Sequence, residues 1–124
     1  MSNEPPEFWS CLLEEACVTA SDAAFPNEVS GIIYTDATGS FANLQVFNGI
    51  SSETSVDASP HEVVEFAYWL QSHHCLPIAT FHSHPGGQEH FSKRDEALQL
   101  WASQHVIVVR QQDSWKCMFF VSSL

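Results

Sequence analysis

Between residues 82 and 95 the chain reads His82-Ser83-His84-Pro85-Gly86-Gly87, then Gln88-Glu89-His90-Phe91, then Ser92-Lys93-Arg94-Asp95. Side chains two apart on an extended backbone point to the same side, so His82 and His84 would present two imidazoles together. Zinc takes nitrogen or carboxylate ligands in tetrahedral geometry, and two histidines supply half of such a set. Asp95 offers a third ligand, since the Pro-Gly-Gly stretch lets the chain double back. Three protein ligands with one open position describe a catalytic rather than a structural zinc. The pieces taken separately have plainer accounts. Ser92 with an acidic residue three positions on resembles a capping box, Asp95 is favoured in a first helical turn by the helix dipole, and His-x-His arises often by chance. Ser92 fits both accounts. A hydrolytic site also needs a base. Glu28, between Pro26 and the apolar run from Val29 to Tyr34, is a candidate, and a solvated strand-edge residue is the alternative reading of it.

The elements that must position these residues follow from periodicity. Residues 7–20 read as a helix, with Trp9, Leu12, Leu13, Ala16, Cys17 and Ala20 at helical spacing, and Phe25-Pro26-Asn27 connects it onward. Glu28 to Tyr34 reads as a strand, Asp36 to Ser40 as a turn with Gly39 free to take a positive φ, and Phe41 to Phe47 as the returning strand of a hairpin. Asn48 to Ala58 is polar, with room for a short strand around Thr54-Ser55-Val56. A second helix is expected from Ser59, its N-cap, through Pro60 to about His73, with Glu62 closing a capping box. Ile78 to Phe81 is a short apolar strand that delivers the chain to His82. A third helix is expected from Ser92 to about Ser103, burying Ala97, Leu98 and Trp101. Val106 to Val109 and Trp115 to Val121 are strands around a turn at Gln111 to Ser114. The order gives one domain over residues 1–124 with a mixed sheet packed between helices, an α/β or α+β fold.

Composition bounds what this frame can be used for. Fifteen acidic against four basic residues give a formal charge of −11. Phosphate backbones would be repelled, so nucleic acid is not the expected partner. A basic protein or a hydrophilic peptide is easier to accommodate, and solubility alone also accounts for an acidic surface. No apolar run approaches the roughly 20 residues of a membrane span. The acidic, proline-bearing start lacks the basic and apolar regions of a signal peptide, which gives the expectation of a cytoplasmic protein. Cys11, Cys17, Cys75 and Cys117 form no Cys-x-x-Cys pair and are expected to be small buried apolar residues. His73-His74-Cys75 has no second pair at ligand spacing, and histidine at a helix C-terminus is favoured on dipole grounds. His61 fits a first helical turn, and His105 precedes a buried strand. The four tryptophans read as core or interface residues. No Gly-x-Ser-x-Gly elbow surrounds Ser30, Ser83 or Ser114, so a serine hydrolase is not indicated.

Glu28-Val29-Ser30-Gly31, then His82-Ser83-His84-Pro85, seven residues to Ser92, and Asp95 three beyond resemble the JAMM motif, Glu…His-x-His-(seven residues)-Ser-x-x-Asp, of the JAB1/MPN/Mov34 metalloproteases. The resemblance extends to the order of elements over nearly the whole chain. It implies an MPN/JAB-like fold with a cytidine-deaminase-like architecture. It also implies that His82, His84 and Asp95 bind Zn2+, that Glu28 is the general base which passes a proton to the leaving amine, and that the Ser92 hydroxyl stabilises the oxyanion. The implied reaction is hydrolysis of an amide or isopeptide bond in a protein or peptide, possible substrates including the C-terminus of a ubiquitin-like protein. His90-Phe91 stands where eukaryotic members often carry a tryptophan ahead of the serine. The chain is also short of the insertions that grip ubiquitin, which points to the compact prokaryotic or phage type. An assembly module of a phage tail or a multi-protein complex, with cleavage incidental or absent, is the alternative. A purely structural site would need neither Glu28 nor Ser92. Oligomeric state is not legible here.

Overall fold

The computed structural model describes residues 4–53, 56–89 and 101–122. Helix α1 spans Cys11–Ala24, later than the periodicity alone suggests. Ser10 sets the start: its hydroxyl accepts from the Leu13 amide at 3.1 Å, and the Trp9 amide closes a turn onto the Pro6 carbonyl before it. A side chain that satisfies an otherwise orphaned helical N–H defines the boundary more sharply than apolar spacing does. Strands β1 (Ser30–Thr35) and β2 (Ala42–Phe47) form the expected hairpin, with Gly39 at φ 71° in its turn. Two short strands follow, β3 (Ile50–Ser51) and β4 (Val56–Asp57), paired with each other. The expected strand near Val56 is therefore present, although Thr54 and Ser55 lie outside the described residues.

Helix α2 spans Pro60–Ser72. Proline at the first position fits its start, but the expected capping box does not form. Ser59 makes no side-chain cap bond, and both Glu62 carboxylate oxygens accept from the Asn48 amide, at 2.9 and 2.8 Å. A tertiary partner has taken the carboxylate that local geometry would have used, and it ties the start of α2 to the end of β2. Strand β5 (Leu76–His84) runs further than the apolar residues alone implied and carries both histidines. Strands β6 (Gln104–Gln111) and β7 (Ser114–Val121) close the chain. The expected third helix, from Ser92, falls mainly on residues 92–100, outside the described residues, and Trp101–Ser103 are not helical.

The main sheet has the order β2-β1-β5-β6-β7, with β5 and β6 parallel and the other neighbours antiparallel. The expected mixed α+β architecture is borne out. One face packs Ile33, Ala79, Phe81, Val106 and Val108 against Leu13 and Cys17 of α1. The other packs Ile32 and Phe47 against Phe66 and Leu70 of α2, and there Trp101 stacks on Phe66 at 6.3 Å. Cys17 is buried as expected, but Cys11 is exposed, Cys75 and Cys117 are half-buried, and all four are free thiols. No helix among the described residues is long and apolar enough to cross a membrane.

His105 is buried, with Nδ1 2.7 Å from the Thr80 hydroxyl and Nε2 2.8 Å from the Ser122 hydroxyl. Burial holds its pKa below the ordinary histidine value. The unfolded chain therefore takes up this proton at a higher pH than the folded chain. The stabilising contribution is complete above the unfolded value of about 6.5 and is lost as pH falls through it, with a slope of at most about 1.4 kcal/mol per pH unit for one proton. Urea denaturation between pH 7.5 and 5.5 should show this loss, and His105→Gln should flatten it.

Candidate metal centre

The antiparallel ladder between β1 and β5 ends with Ser30 opposite His82. Beyond it the two chains stay joined by a different device. The Ser83 amide donates to the Val29 carbonyl at 2.9 Å, and the Ser83 hydroxyl accepts from the Val29 amide at 2.8 Å. Glu28, the next residue back, donates its amide to the Ser52 carbonyl at 2.7 Å. The backbone on both sides of the Glu28 side chain is thus fixed, by β5 through Val29 and by the turn after β3 through Ser52. The Glu28 carboxyl is buried, only 6 % of the residue being exposed, which overturns the reading of Glu28 as a solvated strand-edge residue.

His82 and His84 alternate with Phe81 and Ser83 along β5. Phe81 packs in the α1-side core with Val106 and Val108, whereas the partners of His82 and His84 across the parallel ladder are Ile107 and Val109, which cluster with Met118 apart from that core. Both imidazoles therefore sit on the sheet face away from α1, as the spacing of two predicts. Both are buried. His84 Nδ1 lies 2.8 Å from the Gln88 carbonyl oxygen. A carbonyl only accepts, so Nδ1 carries the proton, and in the neutral ring Nε2 presents a lone pair. That Nε2 is 3.9 Å from Glu28 Oε1. The distance is too long for a hydrogen bond, and with a neutral imidazole both groups are acceptors. A buried imidazole whose free lone pair lies 3.9 Å from a carboxylate suits a cation ligand with a base beside it. The backbone carbonyl on the far nitrogen is the partner that orients metal-ligating histidines. The residues present fit zinc on these grounds.

The loop after His84 is anchored at several points. The Gly87 amide donates to the His84 carbonyl at 3.1 Å, with Gly87 at φ 88°, a conformation other residues rarely adopt. Glu89 accepts from Gln111 Nε2 at 3.2 Å and lies 3.8 Å from Lys116 Nζ. On the other face Arg110 is held between the Phe25 and Trp115 rings, 5.0 and 5.1 Å from their centroids, and lies 3.9 Å from Asp22. This fastens the end of α1 just before the connector that leads to Glu28.

Three of the five expected site residues, Glu28, His82 and His84, are brought together. Ser92 and Asp95 lie outside the described residues, as do His90 and Phe91. Among the described residues no group of three His, Cys, Asp or Glu side chains is placed to hold a metal. The His73-His74-Cys75 cluster is not one: His73 stacks on Trp69 at 4.2 Å and bonds its carbonyl. His61 pairs with Glu65 at 2.9 Å on the helix surface.

The family described as prokaryotic homologs of the JAB domain matches residues 13–121. The chain belongs to that family. Within it, this JAB domain is 36% identical over 74 residues to a UPF0758 protein of Paracidovorax citrulli, a stretch covering 59% of this chain and 29% of that protein. The chain thus spans less than a third of the length of this curated relative. A solution structure of a protein from Desulfitobacterium hafniense superimposes on the JAB domain with a TM-score of 0.71, at 19% identity, covering 90% of this chain and 81% of that one. At that identity the likeness is one of fold.

Sequence reasoning misses Ser83, which it weighs only as a nucleophile. Its signal was available in principle, because a small hydroxyl residue in a buried strand must find a hydrogen-bond partner. Ser83→Ala leaves the buried Val29 amide without its acceptor, at an expected cost of about 1–3 kcal/mol. Urea denaturation of the purified variant measures it.

Proposed function

We propose that this JAB domain is a zinc-dependent hydrolase of amide bonds in a protein or peptide, with a ubiquitin-like C-terminus as the first substrate class to try. The observation that supports it best is the buried pair Glu28 and His84, 3.9 Å apart, with His84 tied through Nδ1 to a backbone carbonyl. A carboxylate and a neutral imidazole held together out of water are costly unless they serve a ligand or a reaction. His82, His84 and Asp95 would hold the metal. When bound, zinc supplies Lewis acidity, polarising a carbonyl and acidifying water.

The remaining chemistry falls to the chain itself. Glu28 accepts the proton of the attacking water and delivers it to the departing amine. The burial of its carboxyl keeps bulk water from competing for that proton. The Ser92 hydroxyl donates to the developing oxyanion, a contribution of roughly 3 kcal/mol for a single donor. The fixed backbone at Val29 and Ser52 keeps the carboxylate in place through both proton transfers.

Calorimetric titration with zinc is expected to give one site per chain. His84→Ala should weaken it by more than the roughly 10–100-fold that loss of an outer-shell partner costs. Hydrolysis of a ubiquitin-like fusion should stop on chelation and return with added zinc. A chain that takes up no zinc would end the metal assignment. One that binds zinc but hydrolyses none of a panel of peptide and isopeptide fusions would point to an assembly role.

A further inference from the structure

We propose that the outer edge of β2, with the groove between it and α1, docks an extended basic peptide segment of another protein as a sixth strand of the sheet. This stands apart from the hydrolytic reading and does not depend on it. β2 is an edge of the five-stranded sheet, paired only with β1 among the described residues. Natural edge strands are protected by lysine, proline, bulges or covering segments. The sequence Ala42-Asn43-Leu44-Gln45-Val46-Phe47 contains no charge and no proline, whereas the opposite edge, β7, carries Lys116.

Beside the unprotected edge runs a groove of about 730 Å³, walled by Phe8, Leu12 and Ala16 on one side and Leu44 and Val46 on the other. Leu12 is 81% exposed and Phe41, at the mouth of β2, is 68% exposed. An open ladder next to an apolar channel is the arrangement that strand addition uses. Backbone bonds give affinity there, and alternate side chains enter the groove.

Charge selects the occupant. The two described basic side chains, Arg110 and Lys116, belong to β6 and β7 at the other side of the sheet. The groove is lined by Glu7, and Glu15 stands one helical turn after Leu12 on the helix that walls it. A segment that alternates apolar residues with lysine or arginine meets both the groove and its acidic surroundings. A second copy of this chain, at a formal charge of −11, would meet like charge instead.

The test uses the full chain and three synthetic decapeptides: alternating valine and lysine, alternating valine and glutamate, and the valine–lysine peptide with its valines replaced by proline. Binding is followed by fluorescence anisotropy, and hydrogen exchange locates the protected amides. The lysine peptide should bind at least about 10-fold tighter than the glutamate peptide at low salt, and the difference should shrink at higher ionic strength. The proline peptide should not bind, and protection should appear on residues 42–47. Leu12→Lys, at an exposed position, should abolish binding with the fold intact, while Val121→Lys on the opposite edge should not. Equal binding of the lysine and glutamate peptides, protection mapping to β7, or indifference to Leu12→Lys would overturn the proposal. So would a peptide-free dimer with β2 amides protected, which would make a second copy the occupant.

Discussion

Replacing Glu28 with glutamine is expected to reduce hydrolysis by roughly 10²–10⁴-fold, the range that a positioned general base contributes. The substitution keeps the shape of the side chain and the backbone bond from residue 28 to the Ser52 carbonyl, so the fold should be unchanged by circular dichroism. It removes the only property the assignment uses, a carboxylate able to take and return a proton. Zinc stoichiometry should stay at one, because Glu28 is not among the assigned ligands. The combination separates three possibilities. Activity and zinc lost together would make Glu28 a ligand. Activity retained with zinc bound would mean that another group is the base. Activity lost with zinc and fold retained is the expected result. Glu28→Ala makes a poorer experiment, since it opens a void beside His84 and confounds chemistry with packing.

Much of the frame was legible because the signals were local. Hydrophobic periodicity located the first hairpin, both described helices and the β6–β7 pair, and the spacing of two placed His82 and His84 on one sheet face. Where the sequence misled, a distant partner had taken over a residue that local rules assign elsewhere. Glu62 sits where a capping box would use it, but its carboxylate accepts instead from the Asn48 amide, 14 positions away in sequence. Ser10 caps α1 where apolar spacing ran the helix earlier, because the spacing continues back through Trp9 into a turn that the extended backbone of Ser10 separates from the helix. Glu28 shows the deepest difficulty. Nothing adjacent to it in sequence predicts burial. The burial comes from β5 arriving alongside at Ser83 and from Ser52 closing over the amide, contacts 55 and 24 positions away in the chain. The motif resemblance selected Glu28 without that knowledge, which is why it reached further into the site than residue-by-residue physics did.

Gly31 carries the second large expectation, and it is one of sterics rather than backbone conformation. A Cβ built at residue 31 would stand 2.3 Å from the Gln45 carbonyl oxygen and 3.2 Å from its carbon. Those atoms are backbone, in the neighbouring strand β2, where Gly31 pairs with Val46 one residue along. A flexible side chain could swing away from such a contact, but a paired strand cannot move without lengthening its ladder. Gly31→Ala should therefore cost about 3 kcal/mol, the upper part of the range for overpacking that forces backbone shifts. For a domain of this size that corresponds to a fall in Tm of roughly 10 °C or more. Calorimetry on the purified variant measures it. The strain also has a direction. β1 is held on its far side by β5, so relief must push β2 outward or drag Ser30 and Val29 with it, and Val29 is the residue that Ser83 holds to fix Glu28. If β2 yields, Gly31→Ala loses stability but keeps zinc affinity and activity at temperatures where it remains folded. If β1 yields, activity falls at those temperatures as well, with zinc still bound. A variant as stable as the parent would show that β1 and β2 stand further apart in solution than the register here requires.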